Sequence, residues 1–242
     1  WLQLKILNDK TSDYENKITI VSKLNFTYRW KTIKWYFQFS SKWWFPWKLW
    51  IEKNWTKLNE VNINSADFLN AIDDLLAQGK SYDAIIVDLP DPSHPDLNKL
   101  YSVNFYARLK QLLAGDGLIG VQSTSPYHAK KSFISVQKTL EAANFSSVQQ
   151  YHDNVPSFGE WGWTIASKMG ASPLQRLNAL ETLPVEHFWL TLPMIKNAFE
   201  FPHDFYKNKE NIPVNYLGSH AIYQLHQNAW QDQQGLNNSY LQ

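Results

Sequence analysis

Residues Ser81–Gln122 read SYDAIIVDLPDPSHPDLNKLYSVNFYARLKQLLAGDGLIGVQ. Ala84-Ile85-Ile86-Val87 is a short apolar run with the pattern of a strand buried on both faces. It stops at Asp88-Leu89-Pro90-Asp91-Pro92, so two carboxylates and two prolines stand where the strand leaves its sheet. In open α/β sheets that carboxyl edge is where ligands bind.

Working outward, Asn98–Leu113 carries apolar residues at helical spacing (Leu100, Val103, Phe105, Leu109, Leu112, Leu113), and Gly115-Asp116-Gly117 ends that helix before a strand at Leu118–Gln122. Upstream, Glu60–Ile63 predicts a strand, and Phe68–Gln78 a helix with Leu69, Ile72 and Leu76 as its apolar stripe. Downstream, Tyr127–Asn144 reads as a helix, and Ser146–Tyr151 and Trp163–Ser167 as strands that follow each other without a helix between them. The alternation of strand and helix predicts a parallel sheet. Residues 170–242 predict short helices at Arg176–Leu183 and Leu192–Phe199, loops at Phe201–Asp204 and Asn211–Pro213, and a final helix at Ser219–Trp230 before a frayed Gln- and Asn-rich tail.

The 242 residues suit one large domain or a domain with an appendage. A net charge of +1 gives no global field for nucleic acid or anionic lipid. The absence of cysteine excludes disulfides, thiolate nucleophiles and Cys-based zinc sites, and is compatible with a reducing compartment. No apolar run approaches the roughly 20 residues that span a bilayer, and no signal peptide is visible. The chain starts at Trp1 and has methionine only at Met169 and Met194, which leads to the expectation of a fragment.

Leu2–Leu7 and Lys17–Ser22 predict a small N-terminal β unit. Residues 25–57 are different: Lys and Arg outnumber acids, and the aromatic density is high, with Trp30, Trp35, Trp43, Trp44, Trp47, Trp50 and Trp55. Basic residues interleaved with aromatics suit a single-strand nucleic-acid platform, a membrane-interface segment or a β appendage with an aromatic core.

For chemistry, Asp88 and Asp91 stand first. Two carboxylates three residues apart can converge on an alkylammonium, and one can take its proton as the amine attacks an electrophile. Equally, Asp88 can cap the next turn and Asp91-Pro92 simply make it. Asp67 follows a strand end, where an acid meets the base of a nucleotide-like group or caps a helix. Gln122-Ser123-Thr124-Ser125 follows the next strand and either lines the same cleft or caps a helix. The seven histidines show no metal-ligand spacing, so loop or surface roles are expected and no metal is. GxSxG, P-loop and GxGxxG motifs are all absent.

The Ser81–Gln122 stretch resembles the heart of the spermidine synthases, the polyamine aminopropyltransferases: an apolar strand, D-x-x-D-P, a Leu/Tyr-rich segment with F-Y, a D-G turn and a strand ending in Gln. QSTSPYHAKKSF, NVPSFGEWGWTIASK, LPVEHFWLTLPMIKNAFEFPHDF and NYLGSHAIYQLHQNAW are similar to the branch that often carries an N-terminal membrane-spanning region. The likeness covers roughly residues 58–232. It implies a Rossmann-like α/β fold of the S-adenosylmethionine-methyltransferase type behind the small N-terminal β unit. It also implies aminopropyl transfer from decarboxylated S-adenosylmethionine, a co-substrate and not a bound cofactor, to putrescine or a similar amine in the cytoplasm, giving spermidine and methylthioadenosine. By resemblance Asp88 is the proton acceptor, Asp91 and Phe158 face the amine (Phe158 where many members have Tyr), and Gln38, Asp67 and Phe68 meet the nucleotide. A homodimer and a membrane region upstream are compatible with it.

One departure stands out. After Q-F-S-S (Gln38–Ser41) the family continues into a G-G-G-D-G loop, and this chain has only its Trp- and Lys-rich stretch between Ser41 and Asn64. Trp is encoded only by TGG, and a shifted reading of TGG plus one base gives glycine. Trp43, Trp44 and Trp47 would then conceal G-G-x-x-G, making residues 25–57 out-of-frame translation or a degraded remnant; the coding DNA decides this by whether any frame restores the loop. The division expected is 1–57, a β unit with the aberrant stretch; 58–170, the Rossmann-like domain; and 171–242, a helical extension. Against the enzyme stands a catalytically dead relative serving as a binding or assembly module.

Overall fold

The computed structural model describes residues 68–156, 159–183 and 189–233, together with the backbone of Lys17–Ser22 and Asn59–Ile63. The expectations for Leu2–Leu7, residues 25–57, Gln38, Asp67, Phe158 and the 234–242 tail lie outside them.

Among the described residues six strands form one sheet: β1 (Lys17–Ser22), β2 (Asn59–Ile63), β3 (Tyr82–Asp88), β4 (Leu113–Gln122), β5 (Ser147–Val155) and β6 (Gly159–Ser167). Their order is β2-β1-β3-β4-β6-β5. Only β3 and β4 are parallel neighbours among the described strands; β1 is antiparallel to β2 and β3, and β6 to β4 and β5. This corrects the parallel-sheet expectation, since four of the five described pairings are antiparallel. The strands joined through helices do all point one way: β2 to β3 through α1 (Phe68–Ala77), β3 to β4 through α2 (Val103–Leu112), and β4 to β5 through α3 (Lys130–Ala142). A helical crossover returns the chain to the same edge and so enforces that direction. The two reversed strands are inserted between them. β6 arrives by a hairpin from β5, and β1, expected in the N-terminal β unit, lies inside the central sheet.

The helices are amphipathic, as the spacing predicts. Phe68 and Ile72 of α1, Phe105, Tyr106, Leu109 and Leu112 of α2, and Val136 and Leu140 of α3 share a core with Ile85, Val87, Ile119 and Val121 of the sheet. The helix expected over Asn98–Leu113 is in fact two. A 3-10 segment, Pro95–Tyr101, starts at His94, whose ring accepts from the Asp96 N–H, and ends at Ser102. Ser102 then starts α2, its Oγ accepting from the Phe105 N–H at 3.3 Å and donating to the Lys99 carbonyl at 2.7 Å. A Ser that satisfies an orphan helix donor outside the helix stops one element and begins the next. At the far end, β4 begins directly at Leu113. The expected Gly115–Gly117 turn is an outward loop within the strand, where the pairing jumps from Tyr82↔Leu113 to Ala84↔Leu118.

Beyond the sheet come α4 (Pro173–Asn178), α5 (Leu192–Asn197), a 3-10 turn at Lys209–Asn211 and α6 (Ala221–Gln233). This segment folds back onto α3. Phe201, Phe205, Tyr206, Ile212 and Leu225 pack on Phe133 and Ile134. Lys138 of α3 donates to the carbonyls of Lys209, Glu210 and Ile212, so one ammonium gathers the turn. Asn215, fully buried, is the polar hub. Its Nδ2 donates to the carbonyls of Asn98 (2.9 Å) and Tyr101 (3.1 Å), its Oδ1 accepts from Ser219 and the Ile222 N–H, and its carbonyl accepts from the Val103 N–H. The chain's end is thereby tied to the 3-10 segment that follows the Asp88–Pro92 loop.

Candidate active site

β3 delivers Asp88 to the carboxyl edge, and the loop after it carries Asp91. Leu89 anchors the loop in the core. Tyr101, buried, donates its O–H to the Pro90 carbonyl at 2.7 Å. Burial and the neighbouring Asp91 hold this phenol well above its ordinary pKa, so it stays a neutral donor.

Asp91 is surrounded. Gln122 Nε2 donates to its Oδ1 at 2.7 Å, Thr124 Oγ1 donates to its Oδ2 at 3.3 Å, and His226 Nε2 lies 3.3 Å from the same Oδ2. Of the four residues that close β4 and follow it, Gln122 and Thr124 therefore reach Asp91. The two serines turn away: Ser123 Oγ pairs with Thr164 Oγ1, and Ser125 Oγ accepts from the His128 N–H. Thr124 is held at φ +65°, which a β-branched residue adopts only under constraint. Gly162 supplies the constraint by bonding Ser123 and Thr124 through its backbone in both directions, at 3.0 and 2.8 Å. A Cβ on Gly162 would stand 2.3 Å from the Phe133 ring and 3.0 Å from the Thr124 carbonyl oxygen. Only glycine fits there.

Asp88 is the opposite case. Among the described residues no side chain bonds its carboxylate, and burial pushes its pKa up to about 6. An acid in that range is ionised at neutral pH and more basic than an ordinary aspartate, which suits a proton acceptor.

Phe68, expected at the nucleotide, is 1% exposed and packs in the core beneath the sheet edge, so its side chain offers little surface to a ligand. The expectation for the histidines needs correcting at His226. It is neither in a loop nor on the surface: α6 buries it to 3% exposure beside Asp91, and Trp230 Nε1 lies 3.0 Å from its Nε2. Periodicity misses such a residue because its partner is 135 positions away. Among the described residues no three His, Asp or Glu gather to hold a metal, and no helix is long and apolar enough to cross a membrane.

A family model for the spermine/spermidine synthase domain matches residues 41–178. The chain belongs to that family. Among curated spermine/spermidine synthase relatives, a polyamine aminopropyltransferase of Shewanella oneidensis is 58% identical over 176 residues, covering 73% of this chain and 30% of that protein. Polyamine aminopropyltransferase 1 of Streptomyces coelicolor is 37% identical over 153 residues, covering 63% of this chain and 28% of the relative. The chain thus spans less than a third of the length of these relatives. Among solved structures, spermidine synthase from Thermotoga maritima aligns with a TM-score of 0.43 at 21% identity, over 55% of this chain and 45% of that one. The Asp88–Asp91 pair, Gln122, Thr124 and Tyr101 all lie inside the matched span, whereas His226 and Trp230 lie beyond it.

Proposed function

We propose that this site is the amine half of a polyamine aminopropyltransferase, moving an aminopropyl group from decarboxylated S-adenosylmethionine to putrescine or a similar amine. The observation that carries the reading is the pair at the end of β3: Asp91 pinned by Gln122 and Thr124, and Asp88, bonded by no described side chain, with its pKa pushed up to about 6. The amine arrives as an ammonium, which two carboxylates attract. Asp91, whose position is set, orients it. Asp88 takes a proton from it as it enters the drier site, freeing the nitrogen lone pair.

That lone pair attacks the propyl carbon bonded to the sulfonium sulfur. The new C–N bond forms as the C–S bond breaks, and its electrons return to sulfur, which leaves as neutral methylthioadenosine. The proton passes from Asp88 to solvent. The same reading assigns Gln38 and Asp67 to the nucleotide and Phe158 to the amine, on the strength of sequence likeness; Phe68, assigned with them by the same likeness, would serve there as core packing behind the site and not as a contact surface. It assigns the reaction to the cytoplasm, with which the lack of cysteine is compatible.

The test is methylthioadenosine release from decarboxylated S-adenosylmethionine with a panel of diamines. Release that depends on the diamine and disappears in Asp88→Asn is expected. Equal release by the variant would remove Asp88 from its role, and no release with any amine would remove the activity.

A further inference from the structure

His226 brings α6 into the Asp91 cluster, and the geometry there poses a problem of proton ownership. One atom, Nε2, lies 3.3 Å from Asp91 Oδ2 and 3.0 Å from Trp230 Nε1. The indole N–H can only donate, so bonding it needs a lone pair on Nε2. The carboxylate can only accept, so bonding it needs a hydrogen there. A neutral imidazole satisfies one of them at a time.

The second ring nitrogen decides the outcome. Nδ1 is buried and has no hydrogen-bond partner. If Trp230 held Nε2, the ring hydrogen would sit on Nδ1 as a buried, unpaired donor, and the Nε2 lone pair would face a carboxylate oxygen. If Nε2 carries the hydrogen, Nδ1 keeps only a lone pair, and Nε2–H makes a charge-assisted bond to Asp91, the stronger kind. In the observed geometry the indole N–H donates to Nε2, so this tautomer requires the Trp230 ring, 43% exposed, to turn its N–H away into solvent.

We propose that His226 is the positioning residue of Asp91: in the Nε2–H tautomer it donates to Oδ2 and, with Gln122 on Oδ1 and Thr124 on Oδ2, fixes the carboxylate that orients the amine. The C-terminal helix thereby becomes part of the amine site. The functional consequence rests on the aminopropyl-transfer reading; the tautomer does not.

The experiment separates the two. Long-range proton–nitrogen correlation spectra of the ¹⁵N-labelled chain report which ring nitrogen of His226 is protonated. The Nε2–H form is expected, retained in Trp230→Phe and converted to Nδ1–H in Asp91→Ala, where Trp230 takes over Nε2. An Nδ1–H form in the unaltered chain overturns the proposal whether or not the chain turns over substrate. In the activity arm, His226→Phe raises KM for the diamine about tenfold with kcat and the nucleotide KM within twofold, and His226→Gln, whose amide N–H reaches as Nε2 does, restores it. Equal diamine KM in all three forms overturns the positioning role. If His226→Phe fails to fold, His226→Gln with unaltered KM and the tautomer result still decide the matter. Absence of any methylthioadenosine release counts against the aminopropyl reading and leaves the spectra to judge His226.

Discussion

Asp88 and Asp91 stand three residues apart on one strand end, yet their surroundings are opposite. Asp88 closes β3 inside the sheet, where burial raises its pKa to about 6 and no described side chain bonds it. Asp91 sits on the loop beyond, where Gln122, Thr124 and His226 converge on it from β4, the loop after it and α6. A carboxylate with its lone pairs occupied is a fixed point and a poor base, whereas one left bare in a dry place is reactive and poorly held. The molecule separates the two properties by giving each to a different residue.

The comparison breaks most sharply at Asp88. Asp88→Asn is expected to slow methylthioadenosine release about 10³-fold in a steady-state assay, within the span typical of a lost general base. Asn215→Ala removes the hub behind Tyr101 and orphans the Asn98 and Tyr101 carbonyls and the Ile222 N–H, and is expected to cost about 3 kcal/mol in urea unfolding. Gly162→Ala drives a methyl into the Phe133 ring and disturbs Thr124. It is expected to cost about 2 kcal/mol, with a raised diamine KM because Asp91 loses a donor.

The smallest effect is a linkage one. Asp88 titrates at about 6 in the fold and near 3.8 when unfolded, so the folded chain holds its proton longer as pH rises. Stability is therefore undiminished below about pH 4, falls between the two values, and carries the full penalty above about pH 6. Asp88→Asn should be indistinguishable from the unaltered chain at pH 4 and more stable by about 1 kcal/mol at pH 8, a figure reduced for the partial exposure of the group. Thermal melts of the two proteins at both pH values measure it. A gain at pH 4 would mean that something other than desolvation acts on Asp88.

How much of this was legible in the sequence follows from distance along the chain. The Ala84–Val87 run, the carboxylates after it and the polar residues closing β4 are local patterns, and of these Gln122 and Thr124 meet Asp91. The break at Ser102 carried a signal too, a Ser three residues ahead of Phe105 and shortly after Pro95, which the run of apolar residues at helical spacing masked. Nothing in the sequence neighbours of Tyr101 and Trp230 marks them as donors. His226 sat in an ordinary amphipathic helix. Gly162 is one glycine among nine, and its necessity comes from a ring on another element. The insertion of β1 between β2 and β3 depends on pairings that no period of apolar residues encodes.

The knot around Asn215 also sets an order of events in time. Its bonds to Asn98 and Tyr101 close spans of 117 and 114 residues, and Asp91 meets His226 across 135. Closing such spans is entropically slow, while the β5–β6 hairpin needs only its neighbours. The strand end carrying Asp88 can thus form in a half-folded chain with Gln122 and Thr124 already on Asp91, while the His226 contact to Asp91 closes last. In stopped-flow refolding, Trp230 fluorescence should settle after the far-ultraviolet signal of the sheet, and the capacity to turn over diamine should return with the tryptophan.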